Sequence, residues 1–226
     1  MRIAVIGALK SEIIHLLNIF RNLEKMPARG LCVFKGGAAG HEFYFAVSGV
    51  GQLKSAAVTA ALIERCCPEH IILTGSCGAV APGVSKGDIV IAKSIIYHDI
   101  EDRFLAVLSD RLKKNFYRFA APSSVFPFFE NKFQDGKLHR GIVLSGNNPV
   151  AGTARKEELY KKWGGLCAEM EGAGFATACE TAGVPWSVVR IVTDECGDLE
   201  LITAGREEPL LLKKLAAYLR TSLGLR

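Results

Sequence analysis

The chain lacks most of the short patterns that announce a familiar chemistry. Its 226 residues contain no Gly-x-Gly-x-x-Gly, no Gly-x-x-x-x-Gly-Lys-Ser/Thr and no His-Glu-x-x-His, so the usual dinucleotide, nucleoside triphosphate and zincin readings lose their main support. The five histidines (15, 41, 70, 98 and 139) are too scattered to suggest a ligand set. The seven cysteines (32, 66, 67, 77, 167, 179 and 196) form neither Cys-x-x-Cys nor a Cys/His zinc spacing. The expectation is no metal and no cofactor. An odd cysteine count in a chain too large to need stapling fits a reducing cytoplasm, and the adjacent Cys66-Cys67 reads as small apolar packing at a helix end. Long apolar runs are also missing. Lys10 interrupts the first one, MRIAVIGALKSEI, well short of a signal core or a bilayer span, so no membrane is expected. Nor is there a basic stripe: 28 Lys and Arg against 23 Asp and Glu leave +5, scattered along the chain, and nucleic acid is not an expected partner.

What is present is an ordinary globular mix, 49% hydrophobic and 23% charged, which excludes disorder and low complexity. One large domain over 1–226 absorbs this length. Apolar runs at Arg2 to Ile6, His41 to Ser48, His70 to Leu73, Asp88 to Ile96 (interrupted by Lys93), Gly141 to Leu144 and Trp186 to Val192 read as strands. Helical spacing marks Ser11 to Phe20, Gly51 to Cys66, Thr153 to Trp163, Glu169 to Ala182 and Glu208 to Leu223. Thr74 to Gly78 reads as a glycine turn, and Glu101 to Gly136 is the least regular stretch, a loop-rich flap. Strands alternating with helices predict an α/β fold.

In open α/β sheets ligands gather outside the carboxyl ends of the strands. Polar residues follow the strand runs at Gly7 to Glu12, Thr74 to Gly78, Tyr97-His98-Asp99, Ser145 to Val150 and Arg190 to Asp194, and Glu169-Met170-Glu171-Gly172 stands at a helix start, where acids are favoured. Each has a plain alternative. Glu12 is a common type of helix-start acid, Asp194 suits a turn, and Glu171 suits a solvated helix face. Arg190 is different, because a charge at the end of an apolar strand is costly without a partner.

The order of these pieces resembles a known family. Gly7-Ala8 with Glu12, then VSGVGQLKSAAVTAALIE, TGSCGAV, KGDIVIA, YHD, EMEG and VPWSVVRIVTD are similar to the purine nucleoside phosphorylase and uridine phosphorylase superfamily, most of all its hydrolytic branch, the methylthioadenosine/S-adenosylhomocysteine nucleosidases. The resemblance spans nearly the whole chain except 102–140. It implies a three-layer αβα fold with a twisted mixed central sheet, a homodimer, and cleavage of the N-glycosidic bond of a purine nucleoside. Such a reaction passes through an oxocarbenium-like centre and gains from an acid on the base and a base on the attacking water. Carried over by motif, Asp194 is the general acid toward purine N7 and Glu12 activates water. Glu171 accepts hydrogen bonds from the ribose hydroxyls and Met170 packs beneath the sugar. Ser76 supports the base-side network, Arg190 the water side, and backbone near Val150 reads the purine edge.

The family's stacking aromatic is absent where the sequence reads Asn147-Asn148-Pro149-Val150, which leaves the base and the 5′ substituent open. Three activities fit: a nucleosidase of 5′-substituted purine nucleosides, a futalosine-type hydrolase of menaquinone biosynthesis, and a phosphate-dependent phosphorylase. The third is disfavoured because Lys10 is the only cation in the first glycine loop. A ligand-binding protein without catalysis is a fourth reading, opposed by Glu12, Glu171 and Asp194 standing together.

Overall fold

The computed structural model describes residues 1–28, 31–109, 117–122, 129, 133–197 and 207–225. In chain order the elements are β1 (Arg2–Gly7), α1 (Lys10–Leu17), β2 (Glu24–Ala28), β3 (Leu31–Ala38), β4 (His41–Val47), α2 (Gln52–Cys66), β5 (His70–Ala79), β6 (Ile89–Tyr97), α3 (Asp102–Val107), β7 (Arg118–Ala120), β8 (Leu138–Ser145), α4 (Thr153–Trp163), β9 (Cys167–Glu169), α5 (Gly172–Ala182), β10 (Trp186–Asp194) and α6 (Glu208–Ser222). This is a mixed α/β fold with a central mixed sheet.

The period of two along the strands decides what each face meets. In β1, Ala4 and Ile6 pack with Leu62 and Cys66 of α2 and with Phe175 and Cys179 of α5. Ile3 and Val5 point the other way, to Ile13 and Leu16 of α1 and Leu212, Leu215 and Leu219 of α6. The adjacent cysteines divide accordingly. Cys66 is buried in the core, while Cys67 caps α2 in the left-handed conformation (φ 44°) and is exposed.

Strand order is β10-β6-β8-β9-β5-β1-β4-β3-β2, with β7 beside β6. β10 pairs in parallel with β5 and antiparallel with β6, and β9 links β8 to β5. Strands β5, β10, β6, β8 and β9 therefore close into a ring, which brings together strand ends far apart in sequence.

Several expectations need correction. Thr74 to Gly78 is not a turn: β5 runs on to Ala79, paired with β10 from Ile71↔Trp186 to Gly78↔Asp194. Its glycines serve close packing instead. Lys93 does not interrupt β6, which bends there through a register shift between Ala92 and Ser94 against β8. Glu169 ends a short strand, and the helix begins only at Gly172. The hairpin β2–β3 has no counterpart in the apolar pattern. In the irregular stretch 101–136, α3, β7 and a few single residues are described, and the rest of the expected flap lies outside the described residues.

His70 opens β5 and contacts Ser187 Oγ of β10 at 2.6 Å through Nε2. Burial pushes this imidazole down from 6.5 to about 4, so the folded chain keeps it neutral while the unfolded chain protonates near its ordinary value. Protons then favour unfolding as pH falls below about 6.5, by on the order of 3 kcal/mol at pH 4. Urea titrations between pH 7 and 4 should show this loss. His70→Asn should flatten that slope; an unchanged slope contradicts the assignment.

Candidate functional site

Residues of β5, β9 and β10 and of the loops beside them line a cavity of about 180 Å³ that holds Glu12, Ser76, Val150, Met170, Glu171 and Asp194, along with Leu9, Val50, Asn148, Pro149, Glu169 and Cys196. Six of the seven residues expected from sequence thus share one cavity. Arg190 does not line it. It lies fully buried in β10, and its Nη2 donates to Glu169 Oε2 and, at 3.2 Å, to Glu171 Oε2.

Glu12 is the N3 residue of α1, and both of its oxygens are used. Oε2 accepts from Leu9 N at 3.0 Å, closing the helix start, while Oε1 accepts from Ser76 N at 3.0 Å and Ser76 Oγ at 3.3 Å. The plain reading of a helix-start acid therefore holds, and the second oxygen is left for Ser76. Ser76, expected to support the base-side network, is accordingly a hydrogen-bond partner of Glu12.

Gly75 makes this approach possible. Its φ is +148°, and a Cβ built on it would stand 2.2 Å from Glu12 Oε1 and 2.7 Å from Arg190 Nη1. A bare backbone therefore separates the carboxylate from the guanidinium. Gly78 plays the same part for Asp194, whose Oδ1 lies 2.6 Å from the site of its missing Cβ.

Glu171 caps α5. Its Oε1 accepts from Gly51 N at 3.0 Å, which ties the start of α2 to the site. Burial pushes the Glu171 carboxyl up, against the pull of Arg190, and the Glu169 charge adds to the rise. Asp194 ends β10, where Oδ1 accepts from Cys196 N at 3.0 Å and Oδ2 from Thr193 Oγ1 at 3.3 Å. The Cys196 thiol is pushed up to about 12 by burial and the Asp194 charge, so it is an unionised wall of the cavity rather than a nucleophile.

Sequence reasoning missed two supports. Glu169 accepts from Glu171 N and Gly172 N as well as from Arg190; the signal was a second acid two residues before Glu171, opposite a lone arginine in an apolar strand. Gln52 is buried and knits three elements: Nε2 donates to Ser145 Oγ at 2.8 Å and to Gly146 O, and Oε1 accepts from Gly174 N at 2.7 Å. Nothing local marks that role. Tyr97 and Asp99 hold the loop after β8, since Asn147 N donates to Asp99 and Asn147 Nδ2 to Tyr97 Oη. A Gly-Val-Ser-Lys-Gly run at 83–87 has the spacing of a hydrolase nucleophile elbow, but it forms the turn before β6, with Ser85 N donating to Asp88 at 3.1 Å. An elbow requires a strand-to-helix turn.

Among the described residues no His, Cys, Asp and Glu grouping could hold a metal ion. Among the described residues no Lys, Arg or His side chain lines the cavity.

The family model of the phosphorylase superfamily matches residues 2–223. A 5′-methylthioadenosine/S-adenosylhomocysteine nucleosidase of Shewanella baltica is 27% identical over 234 aligned positions, which cover 98% of this chain and 99% of the relative. The S. pneumoniae enzyme of that name, solved with a transition-state inhibitor, has a TM-score of 0.90 at 27% identity, covering 100% of this chain and 99% of that one. A futalosine hydrolase mutant of Helicobacter pylori shares the fold, with a TM-score of 0.90 at 22% identity over 99% of both chains.

Substitution at Gly75 tests how the site is held. Gly83 also has positive φ (+81°) but open space around its missing Cβ, so Gly83→Ala reports backbone strain alone, about 1 kcal/mol or somewhat more. Gly75→Ala adds the collision with Glu12 and Arg190 and should lose at least about 2 kcal/mol more in urea unfolding. Equal losses at the two positions would contradict the close approach.

Proposed function

Given that the chain belongs to the phosphorylase superfamily, we propose that it hydrolyses the N-glycosidic bond of a 5′-substituted purine ribonucleoside of the methylthioadenosine/S-adenosylhomocysteine type, releasing the purine base and the ribosyl sugar. One observation carries this reading: among the described residues the cavity is lined by four carboxylate residues, Glu12, Glu169, Glu171 and Asp194, and by no cationic side chain. Such a lining suits a transition state whose sugar gains positive charge, and water is a better nucleophile there than phosphate, which needs cationic partners.

Asp194 delivers a proton to purine N7 as the glycosidic bond breaks. Glu12, fixed by Leu9 N and by both donors of Ser76, takes a proton from the attacking water. Glu171 accepts from the ribose hydroxyls, Met170 packs beneath the sugar, and backbone near Val150 meets the purine edge. Arg190 does not touch the substrate in this scheme. It neutralises part of the acidic cluster from behind and fixes Glu171 and Glu169. No cofactor or metal takes part.

The same reading treats 1–226 as one domain, with helices in layers on both faces of the sheet, acting in the cytoplasm as a homodimer. Exposed Val47, Val50 and Leu53, the last 87% accessible, support a partner surface, and Val50 also lines the cavity. Light scattering at working concentration should give twice the 24.4 kDa chain mass; an active monomer would contradict the dimer. No described helix is long and apolar enough to cross a membrane.

Asp194→Asn keeps the shape of the side chain and loses the acid. With methylthioadenosine as substrate, kcat should fall by about 10²- to 10⁴-fold, while binding of the nucleoside, read by calorimetry, stays within a few-fold. Near-wild-type turnover would refute the role of Asp194.

A further inference from the structure

Tyr97, His98 and Asp99 have no task in the scheme above. β6 and β8 run parallel, in register as far as Tyr97↔Ser145, so the residues just beyond the two strand ends come side by side. His98 N donates to Ser145 O at 3.0 Å, and its ring lies so close over Gly146 that a Cβ there would stand 2.3 Å from Nε2. Asn147 is then gripped twice. Its backbone N–H donates to Asp99 Oδ2, and its Nδ2 donates to Tyr97 Oη at 2.5 Å. The other oxygen of Asp99 faces His98 Nδ1 at 3.3 Å.

Beyond Asn147 the chain forms a partition. Asn148, Pro149 and Val150 line the catalytic cavity on the side assigned to the purine edge. Asn147 and Asn148 also line a second cavity of about 550 Å³ behind the partition, walled on its far side by Arg155, Lys162 and Trp163 of α4. Val150 is fixed by apolar packing with Leu144 and Leu159. Among the described residues no hydrogen bond holds positions 148 to 151, and the next one along the chain is Lys156 N to Gly152 O, at 3.1 Å. Asn148 and Pro149 therefore span between two anchors, Asn147 and Val150, with space on both sides of Asn148. A segment with few contacts of its own takes its position from its anchors.

We propose that Tyr97 and Asp99, by latching Asn147, select the base: they fix how near Asn148 and Pro149 stand to the purine and so which purine edge the cavity accepts. The inference rests on the hydrolase reading. No aromatic ring occurs from 147 to 150 to stack on the base. A stacked ring holds a purine by its face, whatever its edge carries. An amide such as that of Asn148 has both donors and an acceptor, and a polar group left without its partner in such a site is penalised. Selection by the edge requires the span to be held still.

The two grips differ in kind. Asp99 offers a charged acceptor to the backbone N–H and fixes the path of the chain; Tyr97 offers a neutral one to the side-chain amide and fixes its rotation. The groups assigned to the sugar and the water are held separately, Glu171 by Gly51 N and Glu12 by Leu9 N and Ser76. Tyr97 and Asp99 act through Asn147 and are positioning residues.

Methylthioadenosine and methylthioinosine share the sugar and the 5′ group and differ only at position 6 of the base, so the ratio of their kcat/KM values isolates base selection. The wild type should prefer one of them by about 10-fold or more. Tyr97→Phe, which keeps the ring and loses the acceptor, should cut that preference about threefold. Tyr97→Phe combined with Asp99→Ala should cut it about 10-fold, through a higher KM for the preferred nucleoside with kcat within about threefold of wild type. The preference for methylthioadenosine over adenosine, which reads the 5′ group, should stay within about twofold. Damage to the fold alone lowers turnover of all three nucleosides in proportion and moves neither ratio. If the double variant does not fold, Tyr97→Phe decides by the same ratio. A wild type that accepts both bases equally, variants with an unchanged base preference, or an equal fall in the two preferences overturns the latch while leaving the hydrolase reading intact. A wild type that releases no base from any nucleoside removes the hydrolase reading, and the latch falls with it.

Discussion

A single buried cation organises the site. Arg190 is fully removed from solvent in the middle of β10 and is held by Glu169 and Glu171. Taking such charges out of water costs several kcal/mol per ion, recovered only when the geometry and the remaining hydrogen bonds are good. The fold supplies the pairing from three sides, although among the described residues Nε and Nη1 of Arg190 have no hydrogen-bond partner. β10 fixes Arg190 between β5 and β6, β9 delivers Glu169, and the cap of α5 delivers Glu171. Removing the arginine would leave several acids facing one another without compensation. The sheet closes into a ring at the place where those acids must meet.

The glycines of β5 follow from the same constraint. A side chain at 75 would separate Glu12 from Arg190, and one at 78 would collide with Asp194. The strand keeps its pairing to β10 through both positions, so the acids approach a backbone that is rigid and bare. In the proposed reaction this is preorganisation: the groups assigned to meet developing charge are fixed before the substrate arrives.

Much of this was legible in the sequence. The apolar runs of strands β1, β4 and β10, the alanine-rich helix α2 and the polar helix α4 were placed with bounds that differ from those observed by two residues or fewer. The ordered motifs pointed to six residues that do share a cavity. What escaped was long-range. Glycine is a turn signal locally, so Thr74 to Gly78 read as a turn; only the side chains of Glu12, Arg190 and Asp194, from other elements, reveal the glycines as gaps in a strand. The contact of Ser76 with Glu12 was not legible because the sequence does not say which way a side chain on β5 points relative to α1. Gln52 sits in ordinary helical sequence and gains meaning only from what packs against it.

The central claim is that water, not phosphate, attacks a purine nucleoside in this acid-lined cavity. Product analysis on methylthioadenosine, S-adenosylhomocysteine, adenosine, inosine and futalosine, each with and without phosphate, tests it most directly. The account predicts free base and free ribosyl sugar at the same rate in both buffers, with a 5′-thio-substituted substrate turned over fastest. Turnover that appears only with phosphate and yields a sugar 1-phosphate would contradict it.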